Sequence, residues 1–162
     1  MKTGPDISTG ERWFAAAGHA ATSCTPTARR NPGAVVRVAL AHRDPVARAA
    51  LRAVLRDDPD IAVVGEAATS EEVAALATQL RPDVIAMDVA LPGTGCVVAT
   101  RRARRVCGVA VMLLSGDDPD PRVLAALQAG ATGVMRPESL ADRAHRGVDP
   151  RHLRMVFSFG QG

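Results

Sequence analysis

Aromatic side chains are scarce, at 2% of the 162 residues with no tyrosine, so the core must be built from Val, Leu, Ile, Ala and Met. Such a composition suits a parallel sheet covered by alanine-rich helices and argues against an aromatic-lined binding groove. Cysteine is also sparse. Cys24, Cys96 and Cys107 are odd in number and widely spaced, which indicates neither a disulfide framework nor a CxxC metal clip and points to a cytoplasmic setting. No run approaches the roughly 18–20 continuous apolar residues of a membrane helix, since Ala15–Ala21 is interrupted by Gly18 and His19. The weakly apolar start is broken by Asp6, Glu11 and Arg12, which excludes a signal peptide reading. Strong charge of one sign is absent too: a net +3 neither demands nor excludes nucleic acid.

What is present is a 47% hydrophobic chain, enough for one ordinary core. Residues 1–34 mix Gly, Pro, Ser, Thr and Ala without a sustained period and read as a disordered extension, with Trp13-Phe14 as its one aromatic pair. From Val35 the texture changes: β-branched runs alternate with alanine- and leucine-rich stretches, the pattern of successive βαβ units. The first strand spans Val35–Ala41, after which Asp44-Pro45 supplies an N-cap and a proline at the first helical position. A second strand, Ile61–Val64, precedes a helix opened by Ser70, Glu71 and Glu72, and a third strand, Val84–Met87, ends on Asp88. A helix over Val97–Arg105, a strand over Val109–Leu114 ending on Ser115, a helix closing at Gly130 and a short strand, Thr132–Met135, complete the series. Ser139–Arg146 reads as one more short helix.

This succession predicts a doubly wound, five-stranded parallel α/β sheet of flavodoxin-like type, strand order 2-1-3-4-5, with helices on both faces. In such sheets ligands collect beyond the carboxyl ends of the strands, at the point where the strand order reverses. His42-Arg43, Asp88 and Ser115 follow the first, third and fourth strands, so a carboxylate, a hydroxyl and two cationic groups are expected to converge.

Several stretches together resemble the receiver domain of bacterial response regulators, particularly those followed by a helix-turn-helix. They are the stretches Asp58–Ala67, Arg81–Asp88, Leu91-Pro92-Gly93, Ala99-Thr100-Arg101-Arg102, and Ala125–Gly133. The resemblance places a receiver domain at 35–138 and leaves 139–162 as a short tail without a complete DNA-binding domain. It implies a two-component phosphorelay protein, not an enzyme, in which Asp88 accepts a phosphoryl group from a histidine kinase. It also implies that Ser115 binds the phosphoryl oxygens and that the metal ligands are Asp88 and the backbone carbonyl of Ala90. Attack by a carboxylate on a phosphoryl donor brings negative groups together, so a cation and pre-aimed donors must offset the charge.

Two departures from the family pattern are visible. His42 and Arg43 stand where an acidic pair would recruit Mg²⁺, and Asp44, the nearest replacement carboxylate, reads better as a helix cap. The family's lysine position falls on Pro137, with Arg136 one residue early, so Arg43 and Arg136 are the candidate substitute cations. The basic run Arg101–Arg105 spreads around its helix and lacks aromatic neighbours, which favours a solvated face over a nucleic-acid surface. Three functional readings follow: a phosphoryl-accepting receiver, a phosphorylation-independent pseudo-receiver that binds a protein partner, or a truncated relic of a DNA-binding regulator. A homodimer is compatible with each; a membrane role is not.

Overall fold

The computed structural model describes residues 35–106, 108–116 and 120–137. Its strands are β1 (Val36–Ala41), β2 (Ile61–Ala67), β3 (Val84–Asp88), β4 (Ala110–Leu114) and β5 (Gly133–Met135). Its helices are α1 (Pro45–Arg56), α2 (Ser70–Leu80), α3 (Gly95–Arg104) and α4 (Pro121–Gln128). All strand pairs are parallel and the order is β2-β1-β3-β4-β5, the predicted doubly wound sheet. The expected extension at 1–34, the tail at 139–162 with its short helix, Cys24 and Cys107 lie outside the described residues.

Alternation along the strands builds two cores, because successive side chains leave opposite faces of a sheet. Ala39, Ala41, Ile85, Met87, Val111 and Leu113 face α2, α3 and α4. Val38, Leu40, Val84, Ala86, Met112 and Leu114 lie on the other face, where Leu51 and Leu55 of α1 cover them. Burial on both faces is why these strands read as continuous apolar runs.

The structure extends β2 three residues beyond the predicted end, through Gly65, Glu66 and Ala67. A register shift between Val38 and Ala39 rephases the pairing, so Gly65 sits beside Ala39 and Glu66 beside Leu40. The polar Glu66 is a strand residue whose carboxylate is held by Arg48 and Arg52 of α1. α2 opens at Ser70 as expected, and Thr69 is its N-cap. Thr69 Oγ1 accepts from the Glu72 N–H, and Glu72 reaches back to the Ala68 N–H, a variant of the capping box. Ser70 is thereby released for a buried role.

Candidate phosphoacceptor site

Beyond the carboxyl edge of the sheet, β1 and β3 are neighbours at the point where the strand order reverses. Asp88 is the last residue of β3, and the register of β3 against β4 sets it beside Leu114. Ser115 follows immediately, buried, with its N–H donating to the Met135 carbonyl at 3.0 Å. The Asp88 side chain is 14% exposed, enough to meet a small donor and too little for bulk water to surround it. The Ala90 N–H donates to Asp88 Oδ1 at 3.1 Å and the Leu91 N–H to the Asp88 carbonyl at 3.2 Å. This Asx turn follows from the strand ending on an aspartate, and it aims the other oxygen, Oδ2, toward β1.

The group facing Oδ2 is His42, whose Nε2 lies 3.6 Å away. Sequence reasoning gave the cationic role here to Arg43. The structure instead leaves Arg43 exposed, with no ion pair to Asp88 among the described residues. A residue leaving the end of a strand alternates in direction, so only one of the adjacent pair can turn toward Asp88. His42 is held in place from three sides. Its N–H donates to the Ala67 carbonyl at 3.0 Å, the Asp44 N–H donates to its Nδ1 at 3.0 Å, and its carbonyl accepts from Arg48 at 2.6 Å. Because Nδ1 accepts from the Asp44 N–H, a neutral ring carries its proton on Nε2, the nitrogen that faces Asp88.

Asp44 is the helix cap its spacing suggested: Oδ1 accepts from the Val46 N–H at 2.9 Å. Arg136 is exposed just past β5, with no ion pair to Asp88 among the described residues, and Val134 is partly buried against the core. A further cation that the sequence does not single out is Arg122 in the first turn of α4, which is paired with Asp120 and only weakly coupled to Asp88. Its guanidinium forks onto Asp120, with contacts of 3.0, 3.1 and 2.6 Å. That pairing is the main cause raising the Arg122 pKa, with smaller contributions from the charges of Cys96 and Asp88. Asp120-Pro121 is a legible cap and helix start, but the approach of this helix end to β3 is tertiary.

Cys96, in the first turn of α3, shares this neighbourhood. Burial is the main cause pushing its thiol up, Arg122 opposes it, and Asp120 and Asp88 add to it, so the sulfur stays protonated and poorly nucleophilic. Below it, a polar clasp ties α2 to the loop after β3. Glu71 accepts from the Thr94 N–H at 3.0 Å and from Ser70 Oγ at 3.1 Å, while Ser70 Oγ and Thr94 Oγ1 are 3.1 Å apart. Gly93, at φ +100°, passes so close that a Cβ there would meet Glu71 Oε2 at 2.2 Å and Ser70 Oγ at 2.4 Å.

Glu71's carboxyl is held below its ordinary value of 4.5, first by its own backbone N–H and then by that of Thr94. A carboxyl depressed in the folded state contributes stability above its unfolded value and loses it as pH falls through the folded one. Glu71→Gln is therefore expected to melt below the wild type near neutral pH, with the gap closing as pH is lowered from about 4.5. Thermal melts across that range check it; a gap independent of pH would show that the clasp does not depend on ionisation.

A divalent cation is what this type of fold implies at the site, and the donor set does not fit it. Mg²⁺ demands hard oxygen ligands, whereas Asp88 faces an imidazole and the Asp44 carboxylate is engaged by the Val46 N–H. Among the described residues no group of three or more His, Cys, Asp or Glu side chains is arranged to hold a metal ion.

The model of the response regulator receiver domain family matches residues 38–142. The chain belongs to that family. One relative is the protein-glutamate methylesterase/protein-glutamine glutaminase 2 of Methanospirillum hungatei, 34% identical over 105 residues, covering 63% of this chain and 30% of the relative. Another is the transcriptional regulatory protein YxjL of Bacillus subtilis, 32% identical over 108 residues, covering 66% of this chain and 50% of the relative. This receiver thus spans half or less of the length of these two curated relatives. Among solved structures, the response regulator domain of Thermotoga maritima CheB superposes with a TM-score of 0.65 at 23% identity, covering 76% of this chain and 97% of that one. At that identity the likeness establishes the fold. No helix among the described residues is long and apolar enough to cross a membrane.

Proposed function

We propose that this receiver accepts a phosphoryl group on Asp88 from a histidine kinase, in the cytoplasm, and passes the signal on through protein contacts rather than by turning over a substrate. The observation that carries the reading is the placement of Asp88. It ends β3 at the switch point of the sheet, one oxygen fixed by the Ala90 N–H and the other partly open, with Ser115 following its β4 neighbour. This supplies a nucleophile with a defined free edge and a hydroxyl following the adjoining strand, two of the groups a carboxyl phosphorylation uses.

The test is incubation of the full chain with phosphoramidate, followed by intact mass and peptide mapping. An acid-stable, base-labile adduct on the peptide containing Asp88 is the expected result. The second reading, a pseudo-receiver that binds a partner without phosphorylation, is favoured by the His42–Asp88 contact, which places a ring beside the acceptor oxygen. Absence of any adduct, with partner binding unaffected by the donor, would select it.

A further inference from the structure

Resting on the reading above, we infer that His42 takes the place of the divalent cation in this receiver, so that phosphoryl transfer to Asp88 proceeds without metal. The mismatch between donor set and Mg²⁺ is the starting point. Two acceptor groups must be brought together for the reaction, the Asp88 carboxylate and the phosphoryl oxygens, and some positive or hydrogen-bond-donating group has to stand between them. The side chain placed at Asp88 Oδ2 is the His42 imidazole, at 3.6 Å. The separation exceeds a direct hydrogen bond, so among the described residues the Nε2–H has no tight partner at Asp88 and is available to an incoming oxygen.

The mounting of His42 argues that the placement is built rather than incidental. Its ring orientation is set by the Asp44 N–H on Nδ1, and Asp44 is itself immobilised as the cap of α1. Its backbone is held by Arg48, which also contacts the Arg43 carbonyl at 3.3 Å and Glu66 at 3.4 Å, with Arg52 closing the same carboxylate. A donor preorganised in this way needs no reorganisation as charge develops, the condition under which a single hydrogen bond contributes most. Arg122 adds a positive charge within electrostatic reach of Asp88 from the α4 end of the site.

The step balances without a metal. A lone pair of Asp88 forms the oxygen–phosphorus bond while the phosphorus–nitrogen bond of phosphoramidate breaks, and its electrons leave with the already protonated nitrogen as ammonia. His42 keeps its proton and donates it as a hydrogen bond to a phosphoryl oxygen.

Adduct formation by the full chain is followed by intact mass with Mg²⁺ and, separately, with excess EDTA. The expected rates agree within about twofold. Without metal, His42→Ala is expected to slow the reaction on the order of 100-fold, the scale of losing one preorganised donor. His42→Gln, which keeps an N–H at the same reach, should retain most of the rate, and His42→Asp should regain activity only with Mg²⁺. Melting curves establish that each variant is folded. A wild-type adduct that forms with Mg²⁺ and not with EDTA would overturn this inference alone, as would an unimpaired His42→Ala. No wild-type adduct under either condition would overturn the phosphoacceptor reading itself, and this inference with it.

Discussion

Asp88→Asn is expected to abolish the phosphoryl adduct completely while leaving the fold in place. The amide oxygen of Asn can still accept from the Ala90 N–H, which the Asp88 carboxylate does at 3.1 Å, so the turn after β3 persists. The substitution removes the nucleophilic charge. An amide does not form a stable acyl phosphate under these conditions, and neither Asp44, engaged as a cap, nor Asp120, held by Arg122, presents a carboxylate at the switch point. The cost in stability should be small, within about 1 kcal/mol, because the His42–Asp88 contact is long and both side chains keep some exposure, 18% and 14%. Intact mass after phosphoramidate treatment and a thermal melt of the same sample measure the two effects together. An adduct that persists in the Asn variant would move the acceptor elsewhere in the chain.

The largest effect on stability is expected from Leu113→Ala, about 3–5 kcal/mol. Leu113 is fully buried near the carboxyl end of β4, on the face shared with α3 and α4. Removing its isobutyl group forfeits the transfer free energy of those carbons and leaves a cavity, because a strand paired on both sides by β3 and β5 cannot shift to fill it. Total stability of a domain this size is only about 5–15 kcal/mol, so the variant should populate unfolded chain at modest denaturant concentrations. Leu124→Ala on α4 is the matched control: Leu124 is 62% exposed, and its loss should change stability by no more than about 0.5 kcal/mol. Urea denaturation of both variants checks the contrast; equal midpoints would mean that the β4 face is not close-packed. Leu113 also lies two residues before Ser115, so adduct formation should slow in whatever fraction of the variant remains folded.

The parts of this fold legible from sequence are those governed by local chemistry. Alternating β-branched and alanine-rich segments gave the βαβ series, Asp44-Pro45 marked the start of α1, and a strand ending on Asp88 located the candidate acceptor. The errors arose where a residue's role depended on a distant partner. Glu66 was read as outside β2 because its polarity is offset only by Arg48 and Arg52 on α1. Ser70 opens α2 as its position suggests, but its contact with Thr94, distant in sequence, is not legible locally.

The sequence by itself determined the order of the elements, the two-sided burial of the strands and the presence of Asp88 and Ser115 at one edge, since each follows from periodicity and capping over a few neighbouring residues. Which side chain meets Asp88 depends on how the strands pair. His42 and Arg43 are adjacent in the chain and both cationic in principle, and the choice between them rests on where β1 ends relative to β3 and on the Asp44 and Arg48 contacts that hold the loop. The same holds for Arg122, whose weak electrostatic coupling to Asp88 depends on where α4 packs rather than on any local signal. A one-residue difference in where a strand ends reverses which side chain faces the site, and that is fixed by pairing between strands more than forty residues apart.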